Sequence, residues 1–456
     1  MVTKHGALTE NIALLSLCGT TLEPLMDYTL PVDPPGAIHH HLSLQHEQQV
    51  AEAFAILLAN TDDPNAVGAI CVEEQPNATG LLIRMAVNSG SQQERTSTFD
   101  RIICALKRLT ASKDEETFFK EIVVACQSRL LVRLRSSHAK SHRRHKVGRQ
   151  AVISRLCDGI KVISRLRINP AATAAIKPHT DLLECAFAKL EAMSFTAAHS
   201  ESGSQSLYCI ISKVEMLLTS TDIVALLMLI PNDIPTWPES AVRSLVKSLN
   251  GLAQYRSAAH YLLRRAHKDP IFHHLKIAEI SSETYPEGLG TWEPLSVQHG
   301  IFTRSLQGYD KSVQRSEISS QLKSMLGMSH SELESSIDCH ATMTKRVHAE
   351  IQLLLYSMKH PPLLQPRIIC SNKHACLLCA LFIQAHGKFH IRSCHGRLYP
   401  RWRIPLPQIM TLPESSRLQI QQAVDDLNQF LEAKLRTYLL RSRSRYTFSS
   451  VGSTVT

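Results

Sequence analysis

Over most of the 456-residue chain, apolar positions recur at helical spacing, and only short stretches alternate or run together. Residues 44–59 (LQHEQQVAEAFAILLA) set an apolar face among good helix formers and predict a helix. Two apolar runs follow at 67–73 and 81–88, and the Pro-Asn-Ala-Thr-Gly turn between them predicts a β-hairpin. Amphipathic helices are expected near 95–111, 114–135, 149–166, 178–194, 239–265 and 314–327. Breaks fall at Asn169-Pro170, 231–238 and 286–290, and no fixed period marks a helical-repeat array. The Gly-, Pro- and aromatic-rich segment 280–310 reads as an ordered loop or domain edge.

Further on, residues 329–332 fit a capping box that opens a short helix. An apolar, β-prone run at 367–370 predicts a strand, and a helix opens at Cys376. Strands are expected at 389–394 and 398–404, and the short His395-Gly396 turn between them implies an antiparallel pair. A final amphipathic helix covers 413–440, and the basic, Ser-rich end RSRSRYTFSSVGSTVT reads as disordered.

Composition narrows the class. Hydrophobic residues at 44% and charged residues at 20% fit a soluble globular chain of two to three domains. The longest apolar run, 223–230, cannot span a bilayer, so no membrane is expected. No secretory signal is evident at the N-terminus, and twelve scattered Cys fit a reducing, intracellular setting, cytoplasmic or nuclear. A net charge of +10 permits a polyanionic partner. Its densest basic stretch, 128–149, holds eight Lys or Arg, three His and no acid. That stretch reads either as a nucleic-acid contact or targeting signal, or as a solvated loop between helices. It lacks the interleaved aromatics of a single-strand stacking platform. His39, His40 and His41 read as a solvated linker, because three adjacent residues share no face.

The candidate chemistry lies in two short motifs, His348-Ala349-Glu350 and Cys376-Leu377-Leu378-Cys379. Cys376 and Cys379, three apart, share a helix face, and a helix N-terminus favours their thiolate form. His348 and Glu350 can converge on one site if they occupy a first turn and the site sits off the helix end. One His and two Cys make three zinc ligands and leave the fourth position open, as a catalytic site requires. Glu350 then suits a proton carrier beside the activated water.

This order of motifs resembles the zinc-dependent deaminase superfamily, which includes cytidine deaminases and nucleic-acid deaminases. The resemblance implies that His348, Cys376 and Cys379 hold Zn2+, and that Glu350 shuttles protons to the ring nitrogen and the leaving amine. One residue departs from the pattern: the usual Pro before the first Cys is Ala375. Ser371-Asn372-Lys373, His395-Gly396, Trp402 and Pro405 look like a poorly characterised deaminase-like family common in fungal genomes. The resemblance implies an α/β fold: a mixed five-stranded sheet flanked by helices, cytidine deaminase-like, here interrupted by a large, mostly α-helical insertion.

The expected domains are an N-terminal extension (1–40), a first deaminase-like part with helix and hairpin (41–90) and the helical insertion (91–335). A second deaminase-like part with the zinc motifs (336–412) and a C-terminal helix with a basic tail (413–456) follow. A separate N-terminal domain holding the hairpin is the alternative. In related deaminases an Asn at the end of the second strand contacts substrate, and Asn88 stands there; a turn-forming Asn before Ser89-Gly90 explains it equally well. Lys373 can meet a phosphate or simply sit in an exposed loop. Trp402 can stack on a base or pack the sheet edge, and His395 can line the pocket or sit in a turn. Cys339 and His340 read as structural.

The leading reading is a hydrolytic deaminase of an amino-substituted nucleobase, nucleoside, nucleotide or nucleic acid, releasing ammonia. A closed structural zinc module is the alternative, and Cys370, His374, Cys394 or His395 would supply its fourth ligand. A deaminase-like fold used for binding or regulation is a third reading. An exposed sheet edge leaves a homo-oligomer open.

Overall fold

The computed structural model describes residues 2–19, 40–59, 66–88, 92–139, 150–281, 284–285, 288–289 and 326–449. They fall into two compact units: His40–Met85 with Ser89–Glu279, and Met1–His39 with Ala86–Asn88 and Ile280–Thr456. The fold is α/β and mostly helical, with one small mixed sheet of four strands among the described residues where five were expected.

The first unit is built on apolar helix faces. Strand β1 (Gly68–Glu74) is buried throughout, and β2 (Leu81–Val87) follows it across a 3-10 turn at Pro76–Ala78, as the hairpin pattern predicts. The Gln75 N–H donates to Gly80 O at 2.8 Å and closes that turn. Strand β3 (Lys276–Glu279) lies parallel to β2, in the order β3-β2-β1. The helix Leu44–Leu58 is capped by Ser43 and buries Val50, Ala51, Phe54, Leu57 and Leu58, one face at 3.6-residue spacing, against β1.

The 30-residue helix Glu239–Lys268 organises the rest of this unit. It packs against Leu44–Leu58, Gln92–Thr110, Glu115–Ala125 and Glu201–Ser220. Its fully buried Leu249, Leu252 and Leu262 each contribute about 1.5–3 kcal/mol by leaving water. At Gly251 a Cβ would lie 2.5 Å from Arg133 Nη1, so glycine admits the guanidinium, which donates to Gly251 O at 3.2 Å. Arg95 forms an ion pair with Glu279 at the end of β3, and both side chains are almost fully buried.

Most helix expectations hold, with shifts that have local causes. The stretch 114–135 divides at Cys126 into Glu115–Ala125 and Gln127–Leu134. The helix expected from 178 starts at Pro170, where Asn169 caps it and proline suits the first helical position, so Pro178 lies inside it. Two helices, Glu201–Ser220 and Ile223–Met228, were not anticipated. The solvated linker at 39–41 is corrected where it is described. His40 Nδ1 meets Glu74 at 3.2 Å, the His41 N–H donates to Glu74 at 2.7 Å, and His41 Nε2 meets Asp269 at 2.9 Å. His39 lies outside the described residues, as do most of 280–310 and 314–327.

In the second unit, Val2–Leu17 forms a helix rather than a mixed extension and packs on both Glu414–Ser449 and His330–Thr342. Asn11 Nδ2 donates to Asn428 Oδ1 at 3.3 Å, and Tyr438 Oη donates to Cys18 O at 3.1 Å. The C-terminal helix extends to Ser449, so most of the stretch read as disordered is helical backbone; 450–456 lie outside the described residues. The capping box at Ser329 and Glu332 is present.

The antiparallel pair expected at 389–394 and 398–404 does not form. Those segments make isolated parallel bridges instead: Ile368 with His390, Ala375 with Cys394, and Arg346 with Trp402. The helix Leu377–His386 stands between the partners of the first two bridges, and a helical connection brings the chain back in the same direction. Pro400 and Pro405 keep the last bridge short, since proline cannot donate to a ladder.

Candidate metal centre

Two helix N-termini in the second unit carry the centre. His348 is the N-cap residue of Ala349–Lys359, with extended φ −68° and ψ 151°, so its side chain lies off the helix end. Glu350 sits in the first turn and is 3% exposed. Cys376 caps Leu377–His386 in the same way, and its Sγ accepts the Cys379 N–H at 3.3 Å. His348 Nδ1 lies 3.4 Å from Cys376 Sγ and 3.5 Å from Cys379 Sγ. Cys379 Sγ lies 3.6 Å from Glu350 Oε2. The three ligand atoms are within 4.8 Å of one another.

The electrostatics are those of a proton-sharing cluster. Burial alone would raise the Cys376 thiol, but the hydrogen bond from Cys379 and the His348 imidazole hold it well below the ordinary thiol range. Burial, reinforced by the Cys376 thiolate, raises Cys379 well above that range. Burial disfavours the His348 cation, yet Cys376 prevails and its pKa is raised. Burial, and then Cys376, raise the Glu350 carboxyl. The imidazole nitrogen and the two buried sulfurs lie close enough together to share one cation. One imidazole nitrogen and two thiolate sulfurs are a donor set that suits zinc. The group could therefore hold a metal ion, with His348, Cys376 and Cys379 as its ligands.

The remaining candidates sit around this centre in different ways. Asn88 Oδ1 accepts the Ala349 N–H at 2.7 Å and so fastens the start of the His348 helix. Lys373 is exposed in the loop before the Cys pair, and its carbonyl accepts the Ser371 hydroxyl. His395 is half-buried; its Nδ1 accepts the Arg397 N–H at 3.0 Å, and burial lowers its pKa. Trp402 is 2% exposed and packs edge-on to Phe382 at 6.2 Å, so it belongs to the interior. Its indole N–H has no hydrogen bond of ordinary geometry, but it lies near enough to Cys379 to favour the thiolate.

None of the candidates for a fourth ligand joins the three. Cys394 Sγ accepts the Gly396 N–H at 3.3 Å, and His374 Nδ1 meets Ser393 Oγ at 2.6 Å. Ala375 occupies the usual proline position, and its N–H donates to Ser393 O at 3.0 Å, a bond that proline could not make.

One residue at the centre escaped the sequence reading. The Tyr399 ring stands edge-on to His348 at 6.0 Å and to His395 at 5.6 Å, and it is 41% exposed. Its only signal in the sequence is its place among arginines in RLYPRWR. The described half of the basic stretch 128–149 is largely packed: Arg135 Nη1 donates to Gln150 O at 3.1 Å, and His138 is buried. A second cluster, His40, Glu47 and Glu74, also brings three ligand atoms within 4.8 Å; its Glu74 is occupied by the backbone N–H groups of His41 and Leu42.

A family model described as OTT_1508_deam, a deaminase-like family, matches residues 347–406. Both short motifs lie within the match. Comparison with characterised proteins and with solved structures returned no match. Residues 347–406 are thus similar to a deaminase-like family. Among the described residues, no helix is long and apolar enough to cross a membrane.

Proposed function

We propose that this chain is a zinc-dependent hydrolytic deaminase acting on an amino-substituted nucleobase, free or in a nucleoside, nucleotide or nucleic acid. The observation that carries this reading is the convergence of His348, Cys376 and Cys379 beside a buried, first-turn Glu350. Three ligands without a fourth leave room for water, as a catalytic centre needs and a closed structural site does not. Zinc held there supplies Lewis acidity, which makes hydroxide available near neutral pH. Glu350 carries one proton of the attacking water to the ring nitrogen and then the second, from the hydroxyl newly bound to the ring carbon, to the leaving amine, and ammonia departs. A carboxyl raised by burial is suited to holding a proton through those steps. His348 and the Cys pair form the floor, and Asn88 fixes the first turn from which Glu350 projects.

The domain reading belongs to this proposal. The bond from Ala349 to Asn88, at the end of the second strand, supports one discontinuous catalytic domain with a helical insertion. Among the described residues no disulfide forms, which suits an intracellular setting. The test is metal content together with ammonia release, in the wild type and Glu350→Gln, against cytosine, adenine and guanine compounds. About one zinc per chain in both, with turnover falling on the order of a hundredfold or more in Glu350→Gln, is expected. A folded wild type that binds no zinc refutes the proposal.

A further inference from the structure

The charge of this chain is concentrated where the metal centre lies. Residues 345–406 hold ten Lys and Arg and a single acid, Glu350, which leaves +9 there of the chain's +10. That acid is 3% exposed, so the segment shows solvent no carboxylate of its own. Outside it, 40 basic and 39 acidic residues nearly balance.

Several of these cations stand beside the ligands. Lys373 is three residues before Cys376 and exposed. The Leu377 N–H donates to Arg397 O at 3.0 Å, which sets exposed Arg397 at the start of the Cys helix. Arg346, two residues before His348, donates its N–H to Arg401 O at 2.7 Å, so exposed Arg401 flanks the other helix start. Between Arg397 and Arg401 stands the partly exposed Tyr399, with its ring against His348 and His395.

We propose that this rim is a single-stranded nucleic-acid surface, in which Lys373, Arg397 and Arg401 meet the phosphate chain and Tyr399 stacks on the base offered to the centre. A free nucleoside gives such cations nothing to bind, and a lone nucleotide occupies one side of the centre only. Cations on both flanks with an aromatic between them match a phosphate backbone that passes across the site. That the stacked base is the substrate rests on the deaminase reading; the surface itself does not.

The test is binding of a labelled single-stranded oligonucleotide of about 20 nucleotides to the full chain by fluorescence anisotropy across a salt series. Metal content and circular dichroism confirm that each variant is folded. Replacing both arginines (Arg397→Gln with Arg401→Gln) should weaken binding and flatten the log–log salt slope by about 1.4, two phosphate contacts' worth. Tyr399→Ala should weaken binding roughly tenfold or more and leave the slope unchanged. Lys247→Gln, an exposed position in the other unit, should change neither.

An affinity untouched by the arginine and tyrosine variants, or lost equally in Lys247→Gln, overturns the proposal. So does a wild type that releases ammonia from free nucleosides but binds no oligonucleotide, and that result leaves the deaminase reading intact. Binding with the expected losses but no ammonia from any substrate upholds the surface and counts against the deaminase reading.

Discussion

The helical unit and the segment around the metal centre are held by different means. Along Glu239–Lys268, twelve buried residues share the work with several neighbouring helices, and several could be trimmed before the helix lost its place. Between residues 346 and 404, isolated parallel bridges join Arg346 to Trp402, Ile368 to His390 and Ala375 to Cys394, and a few hydrogen bonds at two helix starts set the positions of His348, Glu350, Cys376 and Cys379. Regular packing tolerates variation in any one side chain. A centre built from N-caps and loop bonds does not, because each bond fixes one ligand.

The largest effect on stability that would test this contrast lies in the helical unit, at a buried ion pair. Arg95 and Glu279 form a buried ion pair, and burial already raises the Glu279 carboxyl despite its partner. Arg95→Ala strands a buried acid and should cost about 3–5 kcal/mol of unfolding free energy in urea. A loss under 1 kcal/mol in that titration would mean that water reaches the pair and that the pair is no such weak point.

A second measurement uses pH. His386 is 3% exposed, and burial, with Lys388 nearby, lowers its pKa to about 4. Its Nε2 meets Met358 Sδ at 3.2 Å, and its Nδ1 has no partner among the described residues. The folded state therefore keeps this His neutral, whereas the unfolded chain protonates it below pH 6.5. Stability from this group is full above about 6.5 and falls as pH drops towards 4, by roughly 3 kcal/mol. His386→Leu should flatten that part of the stability–pH curve; an unchanged curve would assign the acid sensitivity elsewhere.

The same contrast explains what the sequence could disclose. His348-Ala349-Glu350 and Cys376 to Cys379 are legible because each motif lies within one helix start, where spacing alone decides which groups face the site. The helices were legible from periodicity, except where local composition hides it. Glu201–Ser220 opens with polar ESGSQS, yet it buries Leu207, Ile210, Ile211 and Val214 on one face. Tyr399, the role of Asn88 and the parallel bridges depend on residues distant in sequence meeting in space, which periodicity does not report. The charge of residues 345–406 is inconspicuous in the sequence for another reason. Its cations are spaced out, and the telling feature is the absence of acids rather than a basic run.

The smallest predicted effect concerns the position where this chain departs from the deaminase pattern. Ala375 is 1% exposed; its N–H donates to Ser393 O at 3.0 Å, and its carbonyl accepts the His395 N–H at 3.1 Å. This one residue therefore ties the approach to Cys376 to the segment that carries His395. Ala375→Pro deletes the donor and leaves the Ser393 carbonyl short of a partner, at a cost of about 1 kcal/mol in thermal or urea unfolding. Zinc stoichiometry should stay unchanged, because Cys376 and Cys379 keep their helix and their mutual hydrogen bond. If zinc is lost with so small a change in stability, the Ala375 bond positions the ligands themselves. The centre would then depend on this loop as much as on its two helix starts.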